Sequence, residues 1–502
     1  MKKSKIPRLI IFSILMFIAS LALMAALWYV NVYGDIGFSA IVFTLTVDNR
    51  GVEEGILLGF IIKALLPAIA ITAILMTVLN LSPKKDIVIK DLKHKKEYKL
   101  FPFSRFVSSI VSIVLIVSFI LSAAVLVSLP QYIVSMLDKS QLYEEEYVDP
   151  ETVEITFPEQ KRNLIYIMLE SMETSFFSKD LGGGLDYNVI PELYNMAASP
   201  ENINFSHSLD IGGWPVVTNA SWTIASIVSQ TAGIPLSIPA KRNTYGKKAS
   251  FLPGVTSITD VLKANGYYQA VMFGSDGNYA GRDQYYLQHG ADRVYDWYSA
   301  MDDGIIPEGY KEWWGMEDMK LYEYARQVLP QIAEKDQPFC FSMLTVDTHH
   351  VGGYKCELCG DQYEEKYENV YSCASKQVAS FVEWIKTQPF YENTTIIIVG
   401  DHASMDAAYF DRAFSHDYER HMYNCFINSP VTTLNVKDRT FTPMDMFPTT
   451  LASLGCTISG ERLGLGTNLF SDVPTLAEKY TIDEFNVLLG KSSDYYIENF
   501  VK

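Results

Sequence analysis

The sequence predicts an N-terminal α-helical membrane region followed by an α/β domain with a mainly parallel central sheet. Three observations carry that prediction. Long uncharged stretches fill most of the first 137 residues and alternate with charged loops. Beyond residue 163, short runs of β-branched and aliphatic residues alternate with helical segments, the pattern of a layered α/β domain. Two of those runs end in residues that bind divalent metals, at the strand edge where ligands gather in parallel sheets.

In the membrane region, no charge appears between Arg8 and Asp35. Residues 9–30 extend about 33 Å as helix, enough to cross the hydrocarbon core. A cleaved signal peptide is the competing reading, disfavoured by the length of the stretch and the spans that follow. A second span covers 55–82, interrupted by Lys63, and a third covers 106–129, closed by Pro130. Between the first two lies an acidic loop, with Asp35, Asp48, Glu53 and Glu54 against Arg50. Its apolar part, 38–46, is too short to span and suits the interface. Between the second and third spans lies a strongly basic loop, from Lys84 to Arg105. The positive-inside rule then keeps that loop and the N-terminus (Lys2, Lys3, Lys5) inside, and sends everything after Pro130 to the outer face.

A chain of 502 residues needs more than one core, and a formal charge of −17 leaves no broad basic surface for nucleic acid. Residues 138–160 form an acidic connector, from Glu144 to Glu159, that reads as a solvated tether. The outer domain occupies 161–502. Its expected strands are 164–169, 268–273, 339–346 and 394–399, and its expected helices are 256–265, 320–333, 375–386 and 443–454.

Glu170 ends the first strand run, and Asp401–His402 ends the last. If those strands are neighbours, two carboxylates and an imidazole converge and leave coordination positions open. Residues 212–235 put a Gly-Gly loop ahead of a small-residue helix, whose start offers Thr218, Ser221 and Thr223 as hydroxyl nucleophiles. Each of these features also has an ordinary reading, as a helix cap or a solvated turn. Cys356, Cys359 and Cys373 cluster within 18 residues, which suits one local disulfide in an oxidising compartment. As a zinc site the cluster is a ligand short unless His349 or His350 completes it.

Several stretches together resemble the sulfatase-like phosphoglycerol transferases, a group that includes lipoteichoic acid synthases and the enzyme that decorates osmoregulated periplasmic glucans. They are NLIYIMLES (163–171), TIASIVSQTAGIPL (223–236), GRDQY (281–285), LTVDTHH (344–350), GDH (400–402) and LGLGTNLF (463–470). The resemblance covers roughly residues 160–470. It implies an alkaline phosphatase/sulfatase-like domain in which Glu170, Asp401, His402 and a nucleophilic threonine hold one divalent cation, manganese first and magnesium second. It also implies that Arg282 grips phosphate oxygens and that His349 lies near the substrate phosphate. The Thr-x-x-Ser pattern of the nucleophile occurs twice, at Thr218–Ser221 and Thr223–Ser226. The spacing to Gly233 favours Thr223, with Thr218 as the alternative. No cysteine stands here to become formylglycine, which counts against a true sulfatase. The implied activity moves glycerol phosphate from phosphatidylglycerol to a glycan or glycolipid acceptor, at the outer face of a bacterial membrane. A phosphoethanolamine transferase of the same superfamily and a catalytically silent membrane-anchored binding protein are the alternatives.

Overall fold

The structure is a computed structural model that describes residues 6–34, 38–46, 54–80, 87–91, 96–101, 104–238, 245 and 250–502. Most charges behind the expected membrane orientation, including Lys2, Asp35, Asp48 and Lys84, lie outside those residues, as do positions 81–82 of the second expected span. The chain divides into two compact units, 1–38 with 53–133, and 39–52 with 134–502.

In the first unit three helices are long and apolar enough to cross a membrane: α1 (Ile6–Tyr33), α3 (Gly55–Asn80) and α4 (Arg105–Leu126). Helix α2 (Phe38–Thr46) comes between α1 and α3 in the chain. Aliphatic residues run all round the three long helices, and only a few of them are buried against one another. Ala19 and Met16 of α1 meet Met76 and Ile116 in a narrow core, and the Ser108 hydroxyl donates to the Leu79 carbonyl at 2.8 Å. Ile10, Ile14, Ile18, Leu57, Ile74 and Val114 remain exposed. Such a surface is costly against water and suited to hydrocarbon. Within the basic loop, Ile87–Asp91 pairs antiparallel with Lys96–Phe101.

The second unit is built on a six-stranded sheet. Its strands are β1 (Asn163–Leu169), β2 (Tyr268–Phe273), β3 (Arg293–Tyr295), β4 (Phe339–Leu344), β5 (Thr394–Gly400) and β6 (Asn424–Ile427). They lie in the order β3-β2-β4-β1-β5-β6. Every pairing is parallel except β5 with β6, an antiparallel edge. The continuous aliphatic runs are explained by burial on both faces. Ile165, Ile167, Ile396 and Ile398 share one core with Leu329 and Val378, from the two long helices 318–333 and 366–386. On the other face the Tyr166 hydroxyl reaches Gln230 at 2.7 Å.

The helices that frame the sheet are α5 (Thr223–Ala232), α6 (Ile258–Ala264), α7 (Arg282–Gln288), α8 (Asp318–Ala333), α9 (Lys366–Lys386) and α10 (Met446–Ser453). Helix α9 starts nine residues earlier than the expected 375, and β3 and β6 are strands the sequence reading lacks. The acidic connector is not a free tether. Leu142 and Tyr143 are buried, and Glu146 pairs with Arg462 and Lys479. The expected local disulfide is not formed either. All six cysteines are free of disulfides, and Cys356 Sγ lies 3.6 Å from that of Cys359 and 3.7 Å from that of Cys373.

Candidate active site

The register of the sheet creates the site. Leu169 pairs with Gly400 across β1 and β5, so the next residues, Glu170 and Asp401, emerge side by side at the carboxyl edge. Gly400 is required there. A Cβ at that position would lie 1.8 Å from the Met172 carbonyl oxygen. Beyond Glu170 the chain turns through Ser171 in the left-handed region (φ 54°), a conformation that needs support from its surroundings. That support comes from the Ser171 N–H, which donates to Asp401 Oδ1 at 2.7 Å, and from the Tyr371 hydroxyl, which donates to the Ser171 carbonyl at 2.7 Å.

Three ligand groups face one another. His402 Nε2 lies 3.5 Å from Glu170 Oε1 and 3.4 Å from Asp401 Oδ2. His402 Nδ1 sits 2.9 Å from the Ala403 carbonyl, so it carries the proton and Nε2 presents its lone pair to the carboxylates. Asp401 Oδ1 is satisfied by the Ser171 and His402 N–H groups, each at 2.7 Å. Its Oδ2 is buried and has no hydrogen-bond partner. An orphaned carboxylate oxygen beside a second carboxylate and an unprotonated ring nitrogen is a donor set that fits a divalent cation. Electrostatics agree: burial and the neighbouring Glu170 push the Asp401 carboxyl up to about 7. For His402, burial disfavours the charged ring, but the Asp401 and Glu170 charges outweigh it and raise its pKa.

Thr223 lies beside the group. Its Oγ1 lies 3.3 Å from His402 Nε2 and 3.5 Å from Glu170 Oε2. It is the first residue of α5, a helix start that no side chain caps, where backbone N–H groups favour an anion. One turn on, Ser226 donates its hydroxyl to the Asp401 carbonyl, which fixes α5 against the ligand loop. Thr218 lies elsewhere, its N–H donating to Asn486 Oδ1 at 2.8 Å and its methyl near Gly490. Ser221 makes no hydrogen bond to Glu170, Asp401 or His402.

Arg282 is buried at the start of α7. Its Nη2 donates to Ser275 Oγ (2.9 Å) and the Asp276 carbonyl (2.7 Å), and its Nε to the Tyr279 carbonyl (3.1 Å). The guanidinium packs over Phe273, with its centre 4.8 Å from the ring centroid. Those bonds commit one edge of the expected fork and leave Nη1 for a ligand. His349 lies against Trp314, ring centroids 4.6 Å apart, with Nδ1 2.7 Å from the His350 carbonyl. Burial lowers its pKa, and the charges of Glu170, His402 and Arg282 also act on it.

Several supporting residues carry no local sequence signal. Thr345 accepts from the Glu170 N–H at 2.9 Å, and Thr348 donates to the Glu170 carbonyl, so the LTVDTHH stretch sets the first ligand. Glu173 is fully buried, holds Arg420, and accepts from the Ser404 N–H at 2.8 Å just past the His402 turn. Before α5, Ser39 of α2 donates to Asn219 at 3.4 Å, and Phe43 packs 6.2 Å from Trp222 and 6.5 Å from Tyr245.

A mainly parallel sheet with carboxylates, histidine and a helix-start hydroxyl at its edge defines a hydrolase-or-transferase fold of the alkaline phosphatase type. Residues 162–456 match the Sulfatase family, and the chain belongs to that family. Among curated relatives, it is 29% identical over 354 residues to "Phosphoglycerol transferase I" of Salmonella choleraesuis (strain SC-B67). That stretch is 69% of this chain, and the chain spans less than half (44%) of the relative's length. Among solved structures, it is similar to the integral membrane protein lipooligosaccharide phosphoethanolamine transferase A (EptA) from Neisseria meningitidis. The TM-score is 0.50 at 12% identity, over 90% of this chain and 85% of that one, a likeness of fold alone.

Proposed function

We propose that the chain is a membrane-anchored phosphoglycerol transferase, with its catalytic domain on the outer face of a bacterial membrane. Its donor is phosphatidylglycerol, and its acceptor is a hydroxyl of a glycan or glycolipid. The observation that carries the reading is Thr223 Oγ1, held within 3.5 Å of both His402 Nε2 and Glu170 Oε2 at an uncapped helix start. The family match and the name of the curated relative support it.

Glu170, Asp401, His402 and Thr223 would hold the divalent cation, manganese or magnesium, which when bound acts as a Lewis acid toward a hydroxyl and a phosphoryl oxygen. Thr223 Oγ1 attacks the phosphorus of the lipid headgroup and the bond to diacylglycerol breaks. The threonine proton ends on the departing diacylglycerol oxygen. His349 would lie near the substrate phosphate, its Nδ1–H held by the His350 carbonyl and its ring kept neutral by burial. The product of this half is glycerophospho-Thr223. An acceptor hydroxyl then attacks the same phosphorus, its proton returns to Thr223, and the threonine is released. Arg282 Nη1 and the first N–H groups of α5 face the charge on the non-bridging oxygens.

The test supplies purified full-length protein with labelled phosphatidylglycerol or phosphatidylethanolamine and manganese. Diacylglycerol release from phosphatidylglycerol alone is the expected result. Release from phosphatidylethanolamine alone would replace this reading with the phosphoethanolamine transferase one.

A further inference from the structure

The three clustered cysteines have no place in that chemistry. Cys356 and Cys359 lie in the loop that follows His349 and His350, and Cys373 projects from α9. Cys356 Sγ is 3.6 Å from Cys359 Sγ and 3.7 Å from Cys373 Sγ, and all three sulfurs lie within 4.8 Å of one another. A tetrahedral zinc ion with bonds of about 2.3 Å sets its sulfur ligands about 3.8 Å apart, whereas a disulfide needs about 2.05 Å. Sulfur contact alone would permit such spacings between neutral thiols, so the surroundings decide. Gln377 Nε2 points at both Cys373 Sγ (3.4 Å) and Cys356 Sγ (3.9 Å). The Cys359 N–H donates to the Cys356 carbonyl at 3.1 Å, closing the turn that brings their two sulfurs together. A neutral thiol is a weak acceptor. A buried amide donor aimed at two sulfurs that already touch a third suits thiolate better than thiol, as found around metal-bound sulfur.

We propose that Cys356, Cys359 and Cys373 form a three-thiolate site for a thiophilic divalent cation, zinc by its ligand chemistry, which pins the loop after His349 to α9. Binding releases the three thiol protons and forms three metal–sulfur bonds with no change of oxidation state. Among the described residues no His, Asp or Glu ligand atom joins the group, so neither His349 nor His350 completes it and a water takes the fourth corner. A cleft lined by Leu358, Cys373 and Gln377 gives the ion a way in. The Cys-x-x-Cys turn lies six residues past His350, and Tyr354 in between donates its N–H to the Asp347 carbonyl at 2.7 Å. The ion therefore braces the segment that presents His349 to the site, without touching the reacting atoms.

The test is cobalt substitution and zinc analysis of the full-length protein in detergent. The expected result is a sulfur-to-cobalt charge-transfer band and one zinc per chain, both kept in Asp401→Asn and both lost in Cys373→Ser and Cys359→Ser. Half-exposed Cys359 gives a second variant with little packing to lose. Faster hydrogen exchange over 348–359 is expected in zinc-stripped wild-type protein and is reversed by zinc. A protein two hydrogens lighter with a disulfide among these cysteines and no charge-transfer band would overturn the proposal. So would zinc that is lost in Asp401→Asn and kept in Cys373→Ser.

Discussion

Asp401→Asn separates the electrostatic cost of the ligand group from its use. In metal-free protein the Asp401 carboxyl is pushed up to about 7 by burial and by Glu170. Ionised, a group moved that far from the ordinary value of about 3.9 destabilises the fold by about 4 kcal/mol. The sign follows from which state holds the proton. Below about pH 4 the carboxyl is protonated in both folded and unfolded chains and imposes no penalty. As pH rises toward 7 the unfolded chain loses the proton first, so stability falls through that window. His402, whose pKa is also raised, adds a loss in the same direction. Asparagine keeps the oxygen that accepts from the Ser171 and His402 N–H groups at 2.7 Å. Its amide replaces the unpartnered Oδ2 and can donate to Glu170. With chelator at pH 8, the variant should therefore unfold at a midpoint higher than wild type, by roughly 5–10 °C for about 4 kcal/mol. The two should converge as pH falls to about 4. With manganese the gap should close, because only wild type gains binding free energy, about 2.7 kcal/mol at a hundredfold excess over Kd and about 4.1 kcal/mol at a thousandfold. Thermal unfolding with and without chelator reads all three. A variant no more stable than chelated wild type at pH 8, or one stabilised by manganese as much as wild type, would refute the electrostatic reasoning.

Three other outcomes are expected. Thr223→Ala should lower diacylglycerol release from phosphatidylglycerol by about 1000-fold or more, as removal of a nucleophile does, while Thr218→Ala keeps most of the turnover. Arg282→Lys should reduce kcat/KM by about 100-fold, because a point charge cannot hold the Ser275, Asp276 and Tyr279 oxygens and reach a phosphate at once. Steady-state kinetics measure it, and an unchanged value would remove Arg282 from the site. Phe43→Ala should cost about 3 kcal/mol of local packing and speed hydrogen exchange over 219–226, since Phe43 lies against Trp222 and Tyr245.

The aliphatic runs at 164–169 and 394–399 could be read as strands because a strand buried on both faces leaves no polar alternation. Glu170 and Asp401 stood out because each directly follows such a run. The start of α9 was illegible for the opposite reason. Glu368, Asn369 and Ser375 are polar yet buried, spending their side chains on hydrogen bonds that hide the helical period. Strands β3 and β6, three and four residues long, are too short for any pattern. Residues that fix the site from a distance left no trace in spacing either. Thr345 and Thr348 act on Glu170, and Arg420 acts through Glu173 on Ser404, across sequence separations that only the fold closes. The same holds for α2. Its length marks it as too short to span, but nothing local ties Phe43 to Trp222.

Mass spectrometry of the full-length protein, quenched after incubation with phosphatidylglycerol and manganese and without acceptor, addresses donor, nucleophile and reaction class together. A glycerophosphate adduct on the peptide containing Thr223, absent from Thr223→Ala, is the expected result. An adduct on Thr218, or turnover of the lipid with no covalent species on any threonine, would contradict it.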